Sequence, residues 1–104
     1  MNICSYVHMH DIDKVIRTTS AFKILSDPTR FKILCLLLKE KDGMCVNEIA
    51  DSVCVSNSAA SHQLSKLESK GVVLSFREGQ TICYELKHNS FTKNLISVIG
   101  IFKR

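Results

Sequence analysis

Glycine and proline are scarce in this 104-residue chain, four and one respectively. No flexible or proline-rich linker divides it, and neither an internal repeat nor a low-complexity stretch marks a second unit. A single small domain is expected, of a size that readily gains stability from a partner subunit. Long apolar runs are also missing. The strongest, Ile33 to Leu38, falls far short of the roughly 20 residues that a membrane-spanning helix needs. Residues 1–20 carry His10, Asp11 and Asp13 where an export signal would need a continuous apolar stretch and a small-residue cleavage site. The expected location is therefore the reducing cytoplasm. No Cys-x-x-Cys occurs, and the cysteines (Cys4, Cys35, Cys45, Cys54, Cys83) number five, an odd count that argues against a disulfide framework in that compartment. They read as free thiols or metal ligands. Lacking too are a glycine-rich phosphate cradle and a nucleophile elbow, which sets aside a thiol enzyme built on Cys and His. Lys and Arg number 14 against 10 Asp and Glu, a net +4 without blocks of like charge. That balance favours an acidic partner, nucleic acid before a metabolite.

What is present is mostly helical periodicity. Ile12, Val15, Ile16, Thr19, Phe22 and Leu25 recur at three and four over residues 11–25 and predict a helix that buries this stripe. Ser26-Asp27-Pro28 stops it and starts the next, with Asp27 as cap and Pro28 at the first helical position, where its missing N–H costs nothing. The second helix, 28–39, is apolar nearly all round, the pattern of a central core helix that includes Cys35. After the polar turn 39–43, a short helix over 46–53 turns Val46, Ile49, Ala50 and Val53 inward. Ser56 then caps a helix over 57–70 whose Ala60, Leu64 and Leu67 face the core. Short helix, tight turn and a second helix with a polar outer face make a helix-turn-helix pattern. Gly71 ends that helix. Residues 72–77 and 81–86 predict two strands around Glu78-Gly79-Gln80. A last helix from about Asn89 carries Phe91, Leu95, Val98, Ile99 and Phe102 on one face, wide enough to suit a subunit interface.

Four blocks stand in order along the chain: Ala21-Phe22-Lys23-Ile24-Leu25-Ser26-Asp27-Pro28-Thr29-Arg30, Cys45-Val46-Asn47-Glu48-Ile49-Ala50, Ser56-Asn57-Ser58-Ala59-Ala60-Ser61-His62-Gln63-Leu64, and Gly71-Val72-Val73. Over about residues 12–100 the sequence resembles the ArsR/SmtB family of metal-responsive winged-helix repressors. The resemblance implies a mainly α fold with a β-hairpin wing, a winged helix-turn-helix. It also implies a homodimer on a palindromic operator, released by a metal or another inducer. Residues 11–104 would form the DNA-binding domain with its terminal dimerisation helices, and residues 1–10 an N-terminal arm. If the helix over 57–70 enters the major groove, Asn57, Ser58, Ser61, His62 and Gln63 are the candidate base readers, and Lys66 is better placed for a phosphate. The alternative is a polar face that is merely solvated. Arg77 and Gln80 match the family's wing and would reach flanking backbone or minor groove. Arg30 and Lys32 are further phosphate candidates or plain surface charges.

Zinc takes four ligands from thiolate, imidazole and carboxylate, often with two close in sequence. Cys4-x-x-x-His8 and Cys45-x-x-Glu48 supply two such pairs. They match a family site in which arm and helix come from different subunits. His10 rivals His8, Glu48 can equally be a capping-box residue, and the arm can equally be a frayed terminus. Asn47 stands where thiolate-rich relatives carry cysteine, so Zn(II) is favoured, with Cd(II) or Pb(II) as the alternatives. A second family site on the last helix maps onto His88, Ser90, Ile101 and Arg104, which lack three of the four ligands. Cys54 and Cys83 read as structural. The functional expectation is thus a repressor released from its operator by a metal ion, Zn(II) first. A thiol- or redox-responsive repressor, or a constitutive one, is the alternative on the same fold.

Overall fold

The computed structural model describes residues 9–102, with side chains from Asp11 onward. Five helices and a small sheet follow one another: α1 (Met9–Leu25), α2 (Pro28–Lys39), β1 (Met44–Cys45), α3 (Val46–Val53), α4 (Asn57–Ser69), β2 (Val73–Glu78), β3 (Thr81–Leu86) and α5 (Ser90–Phe102). This is the expected winged helix-turn-helix. The local signals act as their chemistry requires. The Asp27 carboxylate accepts from the Arg30 backbone N–H at 2.9 Å, with Pro28 opening α2, and Ser56 Oγ accepts from the Ala59 N–H at 3.1 Å at the start of α4. At the far end of α4 the backbone turns over at Gly71, φ +76°. Asn89 Nδ2 donates to the Gly71 carbonyl at 2.8 Å while its Oδ1 accepts from Thr92 N–H at 2.8 Å, so one side chain caps α5 and ties it to the end of α4.

The core is one cluster. Ile33, Leu34 and Leu37 of α2 meet Ile49, Ala50 and Val53 of α3, Ala60, Leu64 and Leu67 of α4, Val72 and Val73, Tyr84, and Leu95 and Ile99 of α5. The inward residues expected of α3 and α4 are those found, except that Val46 is only half-buried. Two expectations fail. The α1 stripe is not buried: Ile12, Val15, Ile16 and Phe22 are 41–56% exposed, and only Ala21 and Ile24 of this helix enter the core. Among the described residues nothing lies over that face. Conversely, the α5 face splits, with Leu95 and Ile99 pointing into the chain's own core while Ile101 and Phe102 stand 65% and 75% exposed.

The sheet has one more strand than expected. β2 and β3 pair antiparallel from Val73↔Leu86 to Glu78↔Thr81 around Gly79-Gln80, and β1, only two residues long, adds to the other edge of β3 with Met44↔Tyr84 and Cys45↔Cys83. Two residues are too few for any periodicity to reveal. Gly43 makes the approach possible: at φ +91°, a Cβ there would lie 2.7 Å from the Tyr84 carbonyl oxygen and 2.9 Å from the Phe76 ring.

Candidate nucleic-acid interface and thiol cluster

The α3–α4 pair and the wing present one continuous face. Asn57, Ser58, His62 and Lys66 on α4 are exposed, Ser61 and Gln63 half-buried, and Arg77 and Gln80 exposed at the hairpin. Gln63 Oε1 is shielded and has no hydrogen-bond partner among the described residues. An open cleft of about 410 Å³ runs between the first turn of α3 (Val46, Asn47), the first turns of α4 (Asn57, Ser61) and the wing (Gln80, Thr81). Of the expected readers on α4, Asn57 and Ser61 border this cleft together with Gln80 of the wing, whereas Ser58, His62, Gln63 and Arg77 do not line it. Glu68 fastens α4 to the wing, its Oε2 accepting from Ser75 Oγ at 2.6 Å. Burial first, and the Glu68 carboxylate second, push the Tyr84 phenol above its ordinary range, so it stays neutral and its ring packs in the sheet.

Basic residues gather at the opposite end of α4. Lys23, Arg30, Lys66 and Lys70 line one depression with Ser20 and Ser69; Lys23 and Lys70 were not singled out in the sequence because elements far apart in the chain bring them there. Arg30 is not a free phosphate contact. Its Nε donates to the Ile24 carbonyl at 3.1 Å and its Nη2 to the Lys23 carbonyl at 2.9 Å, satisfying orphan carbonyls at the end of α1. Lys32 is exposed on α2.

The cysteines depart from expectation. A disulfide joins Cys45 to Cys83, whereas free thiols or metal ligands were expected and Cys83 was read as merely structural. The reason is the β1–β3 register, which sets the two residues directly opposite each other across 38 positions of sequence. Cys35 and Cys54 are free, Cys54 in the left-handed region (φ 61°) at the turn before α4. Glu48 does what a capping-box residue does: its Oε1 accepts from the Cys45 backbone N–H at 3.2 Å. The carboxylate beside the sulfurs is instead that of Glu78, whose Oε2 lies 3.6 Å from Cys45 Sγ and 3.7 Å from Cys83 Sγ. Among the described residues, Cys45, Glu78 and Cys83 are the group whose donor atoms come within 4.8 Å of one another. Thiolate and carboxylate donors suit a zinc-type ion when the sulfurs are reduced. Cys4, His8 and the side chain of His10 lie outside the described residues, as does Arg104. Nothing in the local sequence marks Glu78 or Cys83 as partners of Cys45; only the strand pairing does.

Comparison with known proteins agrees with the architecture. Residues 27–75 match the family described as bacterial regulatory protein, arsR family. The chain is 37% identical over 98 aligned residues, covering 83% of it and 81% of the relative, to the cadmium resistance transcriptional regulatory protein CadC of Listeria innocua. It is 33% identical over 78 residues, 75% of this chain and 58% of the relative, to the transcriptional repressor SmtB homolog of Synechocystis. In structure it resembles the homodimeric winged helix-turn-helix domain of Mb0332 from Mycobacterium bovis with a TM-score of 0.74 at 23% identity, over 92% of this chain and 87% of that one. With matched sequence and fold in agreement, the chain belongs to the ArsR/SmtB family of winged-helix transcriptional repressors.

Proposed function

We propose that this repressor binds a palindromic operator as a homodimer and is released from it by a metal ion, Zn(II) before Cd(II) or Pb(II). The observation that carries the DNA half of this reading is the shared cleft between the first turns of α4 and the wing. Asn57 and Ser61 line it with Gln80, and with Ser58, His62 and Gln63 of the same helix they would meet base edges in a major groove while Arg77 and Gln80 follow the adjoining backbone. Lys66, with Lys23 and Lys70 beside it, takes phosphates. The dimer half is supported by the apolar α1–α5 face. Phe22 rims a groove of about 540 Å³ with Leu25, Phe91 and Val98, and Ile16 of α1 and Phe102 of α5 are exposed as well. A second copy of the chain would cover these groups.

For the metal we retain the four ligands Cys4, His8, Cys45 and Glu48, with arm and helix from different subunits. The cadmium-resistance regulator among the relatives supports a cation as inducer. Release then needs only that the metal-bound dimer prefer a geometry that fits DNA less well, and by linkage DNA must weaken metal binding by the same factor. A second reading has its own support: the Cys45–Cys83 disulfide favours a thiol-responsive repressor of the same fold.

One titration tests both. Reduced full-length protein bound to a palindromic promoter fragment is challenged with Zn(II), and separately the oxidised, metal-free protein is assayed for operator affinity. Release by Zn(II) that is lost in Cys4→Ser/His8→Ala supports the metal reading. Zn(II)-indifferent binding that collapses on oxidation replaces it with the thiol reading.

A further inference from the structure

We propose that the reduced Cys45 and Cys83 thiolates and the Glu78 carboxylate form a second binding site for a thiophilic divalent cation of the zinc and cadmium type, closed within one chain. The donors come from three elements: Cys45 caps α3, Glu78 ends β2 and Cys83 lies mid-β3. One oxygen of Glu78 stands almost equidistant from the two sulfurs, which are bonded to each other here; once the disulfide is reduced and the sulfurs part, the three donors can converge on one ion from neighbouring positions of the sheet. Burial is graded in the way a cation site requires. Cys83 is 1% exposed and forms the floor, Cys45 is half-buried, and Glu78 opens to solvent, leaving the entry side for a water or another ligand as the fourth donor.

Charge points the same way. No basic side chain pairs with Glu78 among the described residues, and when both thiols ionise the group holds three negative charges. Such a cluster is unfavourable until a cation enters it. Binding displaces the two thiol protons and forms two sulfur–metal bonds and one oxygen–metal bond, with no change in oxidation state. The disulfide form has no thiolate to offer, so oxidation of the pair closes the site. A cation here would tie the N-cap of α3 to the tip of the wing beside Gly79-Gln80, and so set the distance between the two DNA-facing parts. The site shares Cys45 with the arm ligands proposed above but does not rest on them.

The test titrates Cd(II) alone into the full-length chain, kept reduced with a phosphine, and follows the ultraviolet thiolate-to-cadmium absorption and the affinity by chelator competition. Cys4→Ser/His8→Ala is expected to keep one cadmium per chain with the absorption of two thiolates. In that arm-variant background, adding Cys83→Ser should remove about half of the absorption. Glu78→Gln, an exposed position where folding is not at stake, should keep the absorption and weaken affinity about tenfold or more. Forming the disulfide beforehand should abolish binding. The proposal is overturned if Cys83→Ser and Glu78→Gln both bind as the unaltered chain does, or if the arm variant loses the absorption altogether. Failure of the functional reading shows separately, as operator release that does not respond to metal in any variant.

Discussion

Gly43 is the residue on which the thiol cluster depends, although it carries no chemistry. Its φ of +91° and the 2.7 Å that would separate a Cβ from the Tyr84 carbonyl mean that only glycine lets β1 lie against β3 and so bring Cys45 opposite Cys83. Gly79 offers a contrast within the same sheet: φ is +65° but a Cβ would meet nothing within 4 Å. Gly43→Ala should therefore cost about 2–4 kcal/mol, the backbone penalty plus the clash, and Gly79→Ala only about 1–2 kcal/mol. Urea unfolding midpoints compare the two, and equal losses would show that the close approach at Gly43 is not what matters. At the same scale Glu48 shows that one spacing can serve a helix cap and a ligand alike. Three residues after a helix N-cap, a carboxylate has a backbone N–H to satisfy as well as any metal to bind, and here it reaches the N–H.

Among the elements, α4 is the one whose two faces were separable in advance. Ala60, Leu64 and Leu67 are fully buried, and the opposite face is polar, as the groove-filling role proposed for it would require. The two kinds of contact should respond differently to truncation. His62→Ala is expected to cost about 1–3 kcal/mol on the preferred operator and to relax sequence preference. Lys66→Ala should weaken all sequences alike and flatten the salt dependence by about one unit per half-site. Operator titrations across a salt series, run against matched and scrambled fragments, resolve the two. If neither variant differs from the unaltered chain, the helix does not enter the groove.

For the whole molecule, the decisive feature is an apolar face left uncovered by the described residues. Phe22 at 55% exposed and Ile16 at 56% on α1, with Phe102 at 75% on α5, would each gain about 1.5–3 kcal/mol from full burial, enough together to hold two chains. Phe22→Glu places a carboxylate in that contact, where desolvating the charge costs several kcal/mol. Sedimentation should show the variant as a monomer with unchanged helical content, and its operator affinity should fall because the two half-sites are no longer bound together. A variant that remains dimeric would move the subunit interface elsewhere on the molecule.

The amino-acid sequence by itself determined the helices, their caps, the hairpin and the polar face of α4, because each depends on neighbours within about four positions or on strict alternation along a strand. Asp27-Pro28, Ser56 and Gly71 are such local signals, and each acts as its side chain dictates. Only the tertiary structure decided which cysteine meets which, that Glu78 rather than Glu48 stands by the sulfurs, and that Arg30 caps α1. It also decided that the α1 stripe looks outward. Those outcomes depend on contacts across many positions, above all on a two-residue strand with no pattern of its own, and a periodicity that marks a residue as apolar does not say whether its own chain or another covers it.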